Sequence, residues 1–132
     1  MFSVEVRDRI MIGHSLPDPF FGPAQNMHGA TFVVDVAFFR ETLNRQNVVV
    51  DIGAALDVLA KTLKPLNYQN LDTLEMFTGK VTTTEFLAKH LFDRIAEAIR
   101  GGRLGKGSGR IRKLRITLHE SHVARGWFEA EL

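Results

Sequence analysis

A chain of 132 residues with 45% hydrophobic and 24% charged residues can bury one modest core, and it reads as one domain, 1–132. Its formal charge of +2 is too small to mark a polyanion binder, and the absence of cysteine excludes a disulfide framework, a thiolate metal site and a thiol nucleophile. No apolar run approaches the roughly 20 residues of a membrane span and the opening residues lack a secretory pattern, so a soluble, cytoplasmic protein with no membrane partner is expected.

Apolar residues at Phe2, Val4, Val6, Ile10 and Ile12 alternate with polar ones, Asp8 being the exception, and predict a first strand with one covered face. The Pro- and Gly-rich stretch from Ser15 to Asn26 then predicts an ordered loop, with Phe20 and Phe21 kept from water. Phe32, Val34, Val36 and Phe38 predict a second strand, antiparallel to the first. After a polar turn at Asn44 to Asn47, Asp51 caps a helix whose apolar face carries Ile52, Leu56, Leu59 and Leu63, and Pro65 ends it. Leu66 to Lys80 reads as irregular. Thr82 and Glu85 have capping-box spacing and open a second helix with Leu87, Leu91, Ile95, Ala98 and Ile99 on one stripe, stopped by Gly101 and Gly102. A mobile loop at Gly105 to Gly109 leads to a strand with Leu114, Ile116 and Leu118 inward. A last strand places Phe128, Ala130 and Leu132 on one face and Arg125, Trp127, Glu129 and Glu131 on the other.

The order strand, strand, helix, helix, strand, strand predicts an α+β fold: a four-stranded antiparallel sheet with two helices on one face. Val33 and Trp127 would lie on the uncovered face. Two open edges and that bare face call for assembly into an oligomer. The basic residues Arg100, Arg103, Lys106, Arg110, Arg112, Lys113 and Arg115 lack interleaved aromatics for base stacking, so no nucleic-acid partner is expected.

Four polar groupings fall at element ends. His14 closes strand one and His28 opens strand two, so pairing of those strands brings two imidazoles together. They form either half of a metal site or a hydrogen-bonded pair. Thr83 and Thr84 are spare hydroxyls at a helix start beside Glu85. Glu120 either ends the inward row of Leu114, Ile116 and Leu118 or lies in solvent past a strand ending at His119. In the first case it needs donors, and a guanidine-like edge would satisfy both oxygens.

Gly13-His14-Ser15-Leu16, Met27-His28-Gly29-Ala30, Val50-Asp51-Ile52, Leu66-Asn67-Tyr68-Gln69-Asn70-Leu71-Asp72, Thr83-Thr84-Glu85 and His119-Glu120 stand in this order along nearly the whole chain. In this arrangement the sequence resembles the 6-pyruvoyl-tetrahydropterin synthase family, whose relatives include 6-carboxy-tetrahydropterin synthase of queuosine biosynthesis. The resemblance implies a tunnelling fold, with sheets joined into a barrel, a homohexamer built as a dimer of trimers, and sites between subunits. It also implies a pterin-like ligand anchored by Glu120 in a pocket that Thr83, Thr84 and Glu85 help to form.

The same resemblance marks what is missing. His14 and His28 match two of three zinc histidines, but the third position is Ala30. The family's nucleophile or base, commonly a cysteine, falls at Ala24, and its Asp-His pair at Asn67 and Tyr68. Alanine cannot ligate or transfer a proton, so neither bound zinc nor the family reaction is expected. The expectation is therefore a pterin- or purine-binding protein and pseudoenzyme. One alternative is a lyase- or aldolase-type enzyme drawing on Gln25, Asn26, Tyr68, His119 or His122; another is a regulatory subunit of an active paralogue.

Overall fold

Two strands of 13 residues, β1 (Phe2–His14) and β2 (His28–Arg40), run antiparallel without a break from Phe2 opposite Arg40 to His14 opposite His28. The period-2 pattern explains the register, because it puts Val6, Ile10 and Ile12 on the same face as Phe32, Val34, Val36 and Phe38, all buried. This computed structural model describes residues 1–106 and 110–132, so part of the expected mobile loop at Gly105 to Gly109 lies outside the described residues.

Asp51 accepts the Ala54 N–H at 3.1 Å and caps α1 (Ile52–Leu63). The buried face of α1 is Ala55, Val58, Leu59 and Leu63, while Ile52 and Leu56 are 54% and 42% exposed. The expected stripe is thus corrected by a small rotation, which turns the small Ala55 inward. Helix α2 (Thr84–Arg100) buries Leu87, Leu91, Ile95, Ala98 and Ile99 as its periodicity predicts, and ends at Gly101 and at Gly102, whose φ of 76° suits glycine. Strands β4 (Lys113–His119) and β5 (Arg125–Glu131) complete the antiparallel set.

A two-residue strand, β3 (Gln69–Asn70), adds to the four expected and pairs parallel with Ile12 and Gly13 of β1. The mixed sheet has the order β3-β1-β2-β4-β5. Helix α1 packs on β1, α2 on β4 and β5, and the helices touch each other. Their side of the sheet carries the core. Leu91, fully buried on α2, is central to it: Leu91→Ala is expected to cost about 2–5 kcal/mol, read from chemical denaturation.

The connection between β1 and β2 contains 3-10 structure at Pro19–Gln25, kinked at Gly22. Phe20 is 87% exposed there, against expectation, because the kinked turn directs only Phe21 inward. The opposite face of the sheet is uncovered and carries Trp127, 53% exposed, with charged residues around it. No helix among the described residues is long and apolar enough to cross a membrane.

Candidate functional site

The β1–β2 register brings the two histidines together. Their ring centroids are 4.6 Å apart with 61° between planes. His14 is 4% exposed, and its Nδ1 lies 3.0 Å from the Thr82 hydroxyl. Burial, and then the neighbouring His28, lower the pKa of His14, which keeps its ring neutral at neutral pH. The Nδ1 of His28 lies 2.8 Å from the Asn26 carbonyl, and a carbonyl only accepts, so the Nδ1–H donates.

Ala30 follows His28 on the same face of β2, where a third donor would be needed. Its methyl supplies none. No group of three His, Asp or Glu side chains suited to a metal ion occurs among the described residues. A catalytic zinc takes three protein ligands, and within one subunit His14 and His28 are the two imidazoles that stand together here.

At the start of α2 the cap is Thr83, whose hydroxyl accepts the Phe86 N–H at 3.1 Å. The expected Thr82 cap is corrected by one residue, because the Thr82 side chain is buried and engaged with His14. Thr84 is then free to donate its hydroxyl to Glu120 Oε2 at 3.3 Å. Gly126 of β5 allows this approach: a Cβ there would stand 3.2 Å from Thr84 Cγ2.

Strand β4 ends at His119, so Glu120 does not extend the inward row and is exposed. Its N–H donates to the Ala124 carbonyl at 3.1 Å, and its carboxylate nevertheless turns to the helix side. There it lines a cleft of about 320 Å³ with His14, His28, Thr83, Thr84, Glu85, Leu16, Phe21 and Ala24. Sequence motifs far apart in the chain thus meet at one end of the sheet.

Asn67 and Tyr68 do not join them. Asn67 Oδ1 accepts the Met11 N–H at 3.0 Å and the Tyr68 N–H donates to the Met11 carbonyl at 2.7 Å, which docks this segment on the outer edge of β1. Tyr68 is 77% exposed with φ 60°. Gln25 spends its amide on the Gly22 carbonyl, and neither it nor Asn26, His119 or His122 lines the cleft.

One polar network was not anticipated. Asp35, 4% exposed on the uncovered face, accepts Arg7 Nε at 2.7 Å and Nη2 at 2.8 Å, and His119 Nε2 lies 2.7 Å from its Oδ2. The signal was available: Asp35 is a lone carboxylate among Val33, Val34 and Val36, with Arg7 its register partner. The Arg7 guanidinium holds the Asp35 carboxyl below its usual range. Stabilisation from this group is therefore full above the unfolded carboxyl pKa of about 3.9 and is lost as pH falls through the folded value. Arg7→Met is expected to lower stability at pH 7, with the deficit shrinking on acidification, measured by urea unfolding at several pH values.

Residues 3–131 match the family described as 6-pyruvoyl tetrahydropterin synthase. The chain belongs to that family. Its fold is shared with 6-pyruvoyl tetrahydropterin synthase of Caenorhabditis elegans, at 20% identity and a TM-score of 0.81, covering 98% of this chain and 95% of that one. The Plasmodium vivax 6-pyruvoyl tetrahydropterin synthase aligns over 100% of both chains at 14% identity and a TM-score of 0.79. An uncharacterised protein from Wolinella succinogenes is also similar, at 14% identity and a TM-score of 0.69 over 96% of this chain and 97% of that one. A comparison with curated proteins gave no match. The cleft of this family member combines His14, His28 and Glu120 with Ala24.

Proposed function

We propose that this member of the 6-pyruvoyl tetrahydropterin synthase family binds a pterin- or purine-like ring through Glu120 and does not carry out the family's zinc-dependent reaction. The observation that supports it is the Glu120 carboxylate on the cleft, where among the described residues its side chain has only the Thr84 hydroxyl, 3.3 Å away, as a partner. A carboxylate with spare lone pairs matches the paired N–H edge of a 2-amino-4-oxo heterocycle, each hydrogen bond being charge-assisted. Thr83, Thr84 and Glu85 would form the pocket wall around that ring, and the open side of the cleft leaves room for a substituent near His14 and His28.

The chemical half of the reading rests on the same residues. A third zinc ligand is lacking at Ala30, and Ala24 offers no acid or base. None of the alternative polar groups, Gln25, Asn26, Tyr68, His119 or His122, lines the cleft, which weighs against an altered lyase or aldolase within one subunit. The open edge of β5 and the sparsely paired outer edge of β1 favour a homo-oligomer, a hexamer in this reading. Calorimetry with neopterin, biopterin and guanine, paired with product analysis after incubation with dihydroneopterin triphosphate with and without zinc, tests the proposal. Ring binding without turnover is the expected result. Turnover, or no binding of any of the three at millimolar concentration, overturns it.

A further inference from the structure

The turn that carries Glu120 is weakly held from within. Past the last paired residue of β4, the Glu120 N–H donates to the Ala124 carbonyl of the same turn, and the carboxylate meets Thr84 at a long 3.3 Å. Ser121 adds two local bonds, its N–H donating to the Ala124 carbonyl at 3.3 Å and its hydroxyl accepting the Val123 N–H at 3.2 Å. These bonds stay within the turn.

The residue just before Glu120 is held differently. His119 is paired with both Val33 and Arg125, and its ring turns to the uncovered face. A hollow of about 550 Å³ on that face, lined partly by Arg7, Thr31, His119 and His122, leaves room beside the ring. Its Nε2 lies 2.7 Å from Asp35 Oδ2; an ionised carboxylate only accepts, so Nε2–H donates and the ring plane is set. Asp35 is itself fixed, because both of its oxygens are held by Arg7 of β1. The network joins three adjacent strands, β1, β2 and β4, at the point where β4 gives way to Glu120.

From this geometry we infer that Asp35, acting through His119, is a positioning residue that aims the Glu120 carboxylate into the cleft from the opposite face of the sheet. The inference rests on the ring-binding reading above. A side chain tied on the open face fixes the backbone of the last residue of β4, and the peptide to Glu120 leaves from that fixed point. Two-point recognition of a planar edge depends on such fixing, since displacement of about 1 Å can cost about 100-fold. Asp35 and His119 do not line the cleft, so their effect on a ligand is indirect; of the residues that do, Glu120 follows His119 in the chain and Arg125 of β5 pairs with it.

The test uses the full chain in its native assembly, with His119→Leu, His119→Gln and Asp35→Asn. Amide hydrogen exchange at Glu120 and guanine affinity by calorimetry are measured for each. His119→Leu is expected to accelerate exchange at Glu120 and to weaken guanine about 10-fold or more, as loss of a supporting partner does elsewhere. His119→Gln keeps an N–H for Asp35 and should stay within about 3-fold of the parent, a rescue that a packing role for the ring would not give. On a Glu120→Gln background, His119→Leu should add less than about 2-fold, because its effect runs through the carboxylate. Unchanged exchange and affinity in His119→Leu, or a loss that adds in full on Glu120→Gln, overturns the inference. If the parent chain binds no ring, the ring reading fails and the exchange result alone decides whether His119 holds the turn. If His119→Leu does not fold, Asp35→Asn carries the same comparison.

Discussion

Glu120→Ala is expected to remove measurable binding of guanine or a pterin while leaving the protein folded. The side chain is exposed and contributes one long hydrogen bond to the fold, so its removal should leave the thermal midpoint close to that of the parent. For a ring held by paired N–H groups the loss is larger. Two charge-assisted bonds vanish and the ligand's donors face a methyl group, a difference of about 3 kcal/mol or more, or at least about 100-fold in Kd. Glu120→Gln should fall between, since an amide accepts one N–H and presents its own NH2 to the other. Calorimetry on the three proteins decides. Equal affinity across the series would mean that any ring sits elsewhere.

Ala30→His is expected to create a zinc site. Residues 28 and 30 share a face of β2, and His14 stands opposite His28, so the new imidazole joins two whose Nδ1 atoms are already engaged. Those bonds leave the Nε2 atoms of His14 and His28 as the available ligand atoms. Competition with a chromogenic chelator should show zinc affinity rising about 100-fold or more over the parent chain. Turnover should not follow, because Ala24 still offers no proton acceptor. A parent chain that already holds zinc tightly at one ion per subunit would instead mean that a donor arrives from elsewhere in the assembly, and the metal-free reading would fall.

The period-2 and helical patterns made the layered fold legible, because each buried face follows from local chain geometry. What they missed depended on tertiary detail. The buried face of α1 is turned toward Ala55 and Val58, which leaves Ile52 and Leu56 exposed, and that turn depends on how the helix docks on β1. The cap of α2 moved from Thr82 to Thr83 because a histidine 68 residues away needed a partner, a demand invisible within the helix. Gln69 and Asn70 became a strand only through an edge left open by β1. At the site, the meeting of His14 with His28 was foreseeable from strand pairing, whereas the turning of Glu120 toward Thr84 was not, since it hangs on one peptide past the end of β4. The lone carboxylate of Asp35 among valines signals a partner, but Arg7 and His119 look like ordinary surface groups until the register sets them beside it.

The unbulged β1–β2 ladder has a consequence for how this protein can tolerate change in length. One residue inserted within β2, between its pairing with β4 and His28, would swing His28 to the far side of the sheet and pull it from His14. The same insertion at the exposed Phe20 tip would be absorbed by the connecting turn. A scan of single-codon insertions should therefore draw a sharp border at each end of the hairpin, with permissive positions between residues 15 and 27 and intolerant ones on either flank.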